Sequence, residues 1–344
     1  MQSGFRGTLR VVLDEIIGIE RTGRLFRVLE VNRALTADSM PNASRAILAQ
    51  ALNMLLFEDL LERVPEAKSY VKYCLHHGRT VMHDHGAVRT IATTGMGSLP
   101  GGEEAITRIL RPLGYALNGI YPLERLRMTG RSYAQVDLPE EIAQFFISEL
   151  HPERFSTGFQ EALSRVTSAS TDPLTSEAQV LLEELESTHS LSIDQSVALL
   201  PALVSCFGRQ HGEITLNDYE LLLAESSEAA WISTEGNAFN HVTDRVEDVD
   251  RLAAEQKALG QPMKAAVEVS QSGRVRQTAF HAARVLRTFH VVGGVVEKEV
   301  PGSFLEFITR LPLPQDESEK KRLDLSFDSS NAQAIFKMTS TAKA

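Results

Sequence analysis

Within seven residues of the segment VMHDHGAVRTI (81–91) stand His83, Asp84, His85 and Arg89. Imidazole and carboxylate groups are the usual donors to a transition metal, and a guanidinium is suited to gripping an anion. One short segment holds too few ligands, so partners must come from elsewhere. NAFNHVTDRV (237–246) supplies them, because Asn240-His241-x-x-x-Arg245 repeats the pattern Asp84-His85-x-x-x-Arg89. Each pattern is followed, after similar distances, by an aromatic-rich run with a glutamate. Glu149 in FFISE lies 64 residues after His85, and Glu306 in FLE lies 65 after His241. In a strand, residues i, i+2 and i+4 share a face. His83, His85, Ala87 and Arg89 are therefore expected to point one way, as are His241, Thr243 and Arg245. If the two segments face a common cavity, two imidazoles and a carboxylate from a closing strand form the facial triad that non-haem iron(II) oxygenases use.

The elements that must position these residues recur as well. HDHGAVRTIA reads as a strand, GGEEAITRILRPLG (101–114) as a helix, and YALNGIYPLE, LRMTGRSYAQVDL and AQFFISEL as three further strands. After residue 236 the same order returns. NHVTDRV is a strand, EDVDRLAAEQKALG (247–260) a helix, and KAAVEVS, RVRQTAFHAARV and GSFLEFITR are strands. Two β-α-β-β-β modules are thus expected, at 81–157 and 236–312. Helical periodicity fills the N-terminal segment 1–80, where Asn42 or Ser44 can cap a helix and Pro65 breaks it, and the insertion 158–235. A polar, charge-rich tail runs from 313 to 344. The expected class is α+β.

Composition narrows the function. A formal net charge of −10 is unsuited to nucleic acid as a partner, because phosphate binding needs a basic surface. No apolar run is long enough for a bilayer, and charges interrupt the N-terminus where a secretory signal would be apolar. The two cysteines, Cys74 and Cys206, form no paired motif. A cytoplasmic protein that engages neither membrane nor nucleic acid is expected. TTGMGSLPGG (93–102) lacks the Walker lysine and reads as a loop.

The paired modules with His, His and Glu resemble the vicinal oxygen chelate, or glyoxalase-like, superfamily. Four motifs in order, His85 to Arg89, NHVTDRV (240–246), RQTAF (276–280) and FLE (304–306), are similar to the 2-oxoadipate dioxygenase/decarboxylase (hydroxyglutarate synthase) family, as is FISEL (146–150). The resemblance implies His85, His241 and Glu306 as ligands of Fe(2+), with Zn, Ni or Mn as other ions such donors accept. It implies a 2-oxo acid and O2 as partners, and conversion of 2-oxoadipate to 2-hydroxyglutarate and CO2 in lysine degradation. Arg89, about 13 Å along the strand from His85, suits the far carboxylate of such a substrate. Arg276 and Gln277 are candidates for the same pocket, and only one of them can face inward. Glu149 is a possible fourth ligand or a supporting group. Four protein ligands would point to a glyoxalase-like isomerase or lyase, three to a dioxygenase, and a non-catalytic ligand-binding protein of the same fold is the third alternative. No catalytic group beyond the metal site is indicated.

Overall fold

The computed structural model describes residues 7–37, 39–314 and 322–328. Its N-terminal part holds α1 (Thr8–Ile17), α2 (Ile19–Val28), α3 (Arg33–Ala37), the short β1 (Asn42–Ser44), α4 (Arg45–Arg63) and α5 (Pro65–His76). Ser44 caps α4 by accepting from the Ile47 N–H, and Pro65 opens α5 at a position where no backbone donor is needed. The first half of the main sheet follows with β2 (His83–Ile91), α6 (Glu104–Leu110), β3 (Tyr115–Leu123), β4 (Met128–Gln135) and β5 (Gln144–Leu150). The helical insertion contains α7 (Thr157–Thr167), α8 (Ser176–Thr188), β6 (Ser190–Ser192, paired with β1), α9 (Ile193–Ser205), α10 (Leu216–Glu225) and α11 (Ser227–Glu235). The second half has β7 (His241–Arg245), α12 (Val249–Ala258), β8 (Glu268–Val269), β9 (Val275–Ala279), β10 (Arg284–Val291), β11 (Gly294–Pro301) and β12 (Phe304–Arg310).

The eight main strands form one sheet in the order β3-β4-β5-β2-β7-β12-β9-β8. Its centre is the antiparallel β2–β7 pair. On either side lies a parallel neighbour, β5 beside β2 and β12 beside β7, followed by antiparallel strands. Each half therefore repeats the other about the central seam, as the sequence repeat requires. Helices α4, α5 and α11 pack against the sheet, and Phe145, Phe207 and Phe239 form a buried aromatic cluster. Both cysteines are free and buried. No helix among the described residues is long and apolar enough to cross a membrane.

Three expectations about strands need correction. RVRQTAFHAARV is not one strand: β9 ends at Ala279, and Arg284 begins a separate β10–β11 hairpin that is not hydrogen-bonded into the main sheet. KAAVEVS contributes only the two-residue β8. His83 and His85 do not share a face. His83 pairs with Asp244 and His85 with Thr243, so β2 takes two steps where β7 takes one. That bulge breaks the alternation. It turns His83 toward Phe57 and Phe239 on the helical side, with ring centroids at 5.7 and 6.4 Å. Gly86 shares that side, since a Cβ there would run into the Phe239 ring. Most of the polar tail lies outside the described residues, but 322–328 do not form a detached surface segment. They return across the open side of the sheet.

Candidate metal centre

His85 comes from β2, His241 from the first position of β7 and Glu306 from β12, and all three are buried. Their ligand atoms lie within 4.8 Å of one another. Oε2 of Glu306 is 3.1 Å from His85 Nε2 and 3.3 Å from His241 Nε2. Donors bonded at ~2.1 Å to one ion and at right angles are ~3.0 Å apart, so these spacings suit neighbouring corners of an octahedron. The other ring nitrogens are engaged. Nδ1–H of His85 donates to Asp84 Oδ1 at 2.8 Å, and that of His241 donates to Asn240 Oδ1 at 3.0 Å. A neutral ring donating from Nδ1 has its lone pair on Nε2, so both imidazoles present acceptors to the same point. The Thr243 hydroxyl donates to Glu306 Oε2 at 2.6 Å and lies 3.1 Å from His85 Nε2, which holds the carboxylate in place. By donor type, direction and spacing, the group fits a divalent transition metal.

The electrostatics of the two halves differ. Burial lowers the pKa of His241 below the ordinary histidine value, and Glu306 only partly offsets it. Burial acts on His85 in the same direction, but the hydrogen bonds with Asp84 and Glu306 outweigh it and raise its pKa. Asp84 stands beside His85 where His241 has the neutral Asn240, and the neighbouring His85 and Arg89 lower His241 further. Asp84 is itself buried, and Arg310 outweighs that burial to hold its carboxyl well below the usual range. Arg310 Nε and Nη2 reach Asp84 at 2.9 to 3.0 Å. Burial alone would raise Glu306, yet the two histidines bring it far below its usual value.

Strand register decides which residue of the first half corresponds to Glu306. His241 lies opposite Phe304, and two positions on Thr243 lies opposite Glu306. His85 lies opposite Gln144, and two positions on Ala87 lies opposite Phe146. The counterpart of Glu306 is therefore Phe146, and Glu149 stands three residues further on, facing the other way. Glu149 accepts from the Glu103 backbone N–H at 2.7 Å and from Arg131 at 3.1 Å, away from the cluster. The near-equal sequence spacings misled because intervening loops differ in length.

A small pocket opens beside the three ligand atoms. Arg89, Gln277, Ser148 and Phe146 line it, together with Phe327. Arg89 is 1% exposed, and its guanidinium lies over the ring of Trp231 at 4.8 Å. Burial pulls its pKa down to about 10, with Glu228 acting in the opposite sense, so it is cationic at neutral pH. Gln277 and Arg276 take opposite sides, as alternation demands. Arg276 does not reach the cavity: it pairs with Asp250 at 2.6 Å on the outer surface. Arg245, the repeat partner of Arg89, donates to the Glu140 carbonyl and sits 3.9 Å from Asp84. Sequence reasoning missed Asn240, Thr243, Arg310 and Phe327. The Asp-His and Asn-His pairs were a usable signal for two ring-orienting groups; nothing local marked Phe327.

The sequence model of the 2-oxoadipate dioxygenase/decarboxylase family matches residues 55–335. The chain is 24% identical to the 2-oxoadipate dioxygenase/decarboxylase, chloroplastic/amyloplastic, of Oryza sativa subsp. japonica, over 88% of this chain and 82% of that one. It is 26% identical to the corresponding chloroplastic protein of Arabidopsis thaliana, over 81% and 74%. Among solved structures it is similar to a glyoxalase-superfamily protein of Ralstonia eutropha JMP134, with TM-score 0.88, 54% identity and coverage of 94% and 98%. It also matches the hydroxyglutarate synthase of Oryza sativa in complex with 2-oxoadipate, with TM-score 0.67, 20% identity and coverage of 88% and 96%, a likeness of fold.

Proposed function

The chain belongs to the 2-oxoadipate dioxygenase/decarboxylase family, and on that premise we propose that it is an iron(II)-dependent dioxygenase that decarboxylates a 2-oxo dicarboxylic acid. The observation that supports this reading best is Phe146. An aromatic ring stands where a second closing-strand carboxylate would complete four protein ligands. His85, His241 and Glu306 would then hold the ion on one face, leaving positions for a bidentate 2-oxo acid and oxygen. Iron(II) bound there would supply the redox chemistry that couples oxygen to loss of CO2. With 2-oxoadipate the sum is 2-oxoadipate plus O2 giving 2-hydroxyglutarate plus CO2, which balances without an external reductant, a step of lysine degradation as the resemblance implies.

The chain's own residues do the rest. Arg89, fixed by Trp231 on one side and by burial all round, presents a permanent positive charge to the substrate's far carboxylate. Gln277 offers an amide to the same cavity. Thr243 keeps Glu306 from rotating, and Asp84 and Asn240 keep both Nε2 atoms aimed inward. Phe146 and Phe327 make the surroundings apolar, which strengthens every charge interaction inside. A glyoxalase-like isomerase with Zn, Ni or Mn is the second reading, and Phe146 counts against it because its metal needs the fourth ligand.

The test is anaerobic reconstitution with ferrous iron followed by 2-oxoadipate. A visible charge-transfer band should appear on adding substrate, and CO2 with one equivalent of O2 consumed on admitting air. His241→Ala should give neither signal. Turnover without oxygen uptake would transfer the protein to the isomerase reading. A His241→Ala variant indistinguishable from wild type would remove the ligand assignment.

A further inference from the structure

Residues 322–328 cross the mouth of the cavity and are fastened to both halves of the sheet. On the side of the first half, Gln144 Nε2 donates to the Leu325 carbonyl at 3.3 Å, the Phe327 N–H donates to Tyr121 Oη at 3.1 Å, and the Leu323 N–H donates to Glu140 at 3.0 Å. On the side of the second half, Arg310 Nη1 donates to the carbonyls of Asp324 and Ser326 at 2.9 and 2.8 Å, and Arg274 pairs with Asp324 at 2.8 Å. The segment delivers one ring to the interior. Phe327 meets the His85 imidazole edge-on with centroids 4.8 Å apart, lies 4.9 Å from the Phe146 ring, and has the Arg310 guanidinium over it at 4.9 Å. It therefore covers a proposed ligand and lines the cavity at once. Asp328, next along, also lines it and accepts from the Gln271 N–H at 2.9 Å.

We propose that Phe327 is a specificity-determining residue, whose ring fills the space above the ligand cluster and restricts the cavity to slender, unbranched 2-oxo acids. This rests on the dioxygenase reading given above. An aryl 2-oxo acid chelating the same ion would have to place its ring where Phe327 already stands. The strap's backbone is held from both sides by Gln144, Tyr121 and Arg310, and the ring itself is packed among His85, Phe146 and the Arg310 guanidinium, so moving it aside breaks those contacts. Removing the ring leaves a void of its own shape between Phe146, the His85 imidazole and the Arg310 guanidinium, surfaces on which another aromatic ring can pack. One buried ring is worth enough to change selectivity by about 10- to 150-fold.

The experiment compares wild type with Phe327→Ala and Phe327→Leu, iron-loaded, on 2-oxoadipate and phenylpyruvate. Turnover is read as the ratio of kcat/KM for the two acids. Binding is read independently, without oxygen, from the fluorescence of Trp231, the only tryptophan, which stacks on Arg89. Circular dichroism checks that each variant folds. The expected result is a shift of the ratio toward phenylpyruvate by at least about tenfold in Phe327→Ala, with a smaller shift in Phe327→Leu and the same order in the binding titrations. Turnover of 2-oxoadipate with an unchanged ratio in both variants overturns the role of Phe327 and leaves the dioxygenase reading standing. If neither acid binds to or reacts with any of the three proteins, the dioxygenase reading fails, and the specificity role falls with it.

Discussion

Asp84→Asn separates two jobs that one carboxylate performs. Asparagine has the same shape and keeps an oxygen for the Nδ1–H of His85, as Asn240 already does for His241. What it removes is the charge opposite Arg310. The two side chains are 1% and 0% exposed, and the guanidinium makes three contacts of 2.9 to 3.0 Å to the carboxylate. Stranding one member of a buried pair costs about 3–5 kcal/mol. Arg310 keeps its bonds to the Asp324 and Ser326 carbonyls and its place over Phe327, so the lower end of that range applies. Loss of the charge that makes His85 the more basic ring should also weaken metal binding by about 10- to 100-fold. Urea unfolding of the metal-free protein reads the first effect, and competition with a chromophoric chelator reads the second. Asp84→Asn combined with Arg310→Met should recover part of the stability but none of the affinity, because neutral partners tolerate burial while the Asp324 and Ser326 carbonyls lose their donor. A single variant that loses under about 1 kcal/mol and binds metal as wild type does would refute both the pairing energy and the contribution of the Asp84 charge to His85.

Other outcomes follow from individual contacts. Burial raises Asp244 to about 7, against a hydrogen bond from Tyr70 that acts the other way. A carboxyl raised on folding contributes most below its unfolded pKa near 3.8, and that contribution disappears as pH climbs through 7. Asp244→Asn should therefore gain on wild type by up to about 4 kcal/mol between pH 4 and pH 8 in urea unfolding; a gap independent of pH defeats the assignment. Gly86→Ala places a methyl against the Phe239 ring and should cost about 1–3 kcal/mol of stability, with part returned by adding Phe239→Leu. Full stability in the single variant would show the ring can move freely. Gln277→Ala should raise KM for the 2-oxo acid severalfold, whereas Arg276→Ala, which breaks only a half-exposed pair with Asp250, should leave KM unchanged. The opposite ranking would reverse the facing of β9.

Much of the frame was legible because it is local. Ser44, Pro65 and Gly260 punctuate helices by rules that need no tertiary information, and the repeated [Asp/Asn]-His-x-x-x-Arg located two matching strands. Convergence of His85, His241 and Glu306 follows from that duplication plus one resemblance. What stayed hidden depends on register. A bulge between His83 and His85 is set by pairing with β7, so simple alternation put His83 on the wrong side. The choice between Glu149 and Phe146 turns on which residue lies opposite Ala87, and counting residues along the chain cannot supply that. Arg310 was visible as the basic end of FLEFITR, but its partner Asp84 lies 226 positions away. Phe327 sits in a stretch whose composition reads as surface.

The three ligand residues are drawn from strands that meet only after nearly the whole chain has been gathered. No two of them lie close enough in sequence to chelate an ion while the polypeptide is extended, and closing such long loops is entropically costly. An ion can be captured only by a sheet whose central seam has already joined. On the proposed ligand assignment, metal loading would therefore follow the joining of that seam, and the extended chain would offer no preformed His-His-Glu site to a cation.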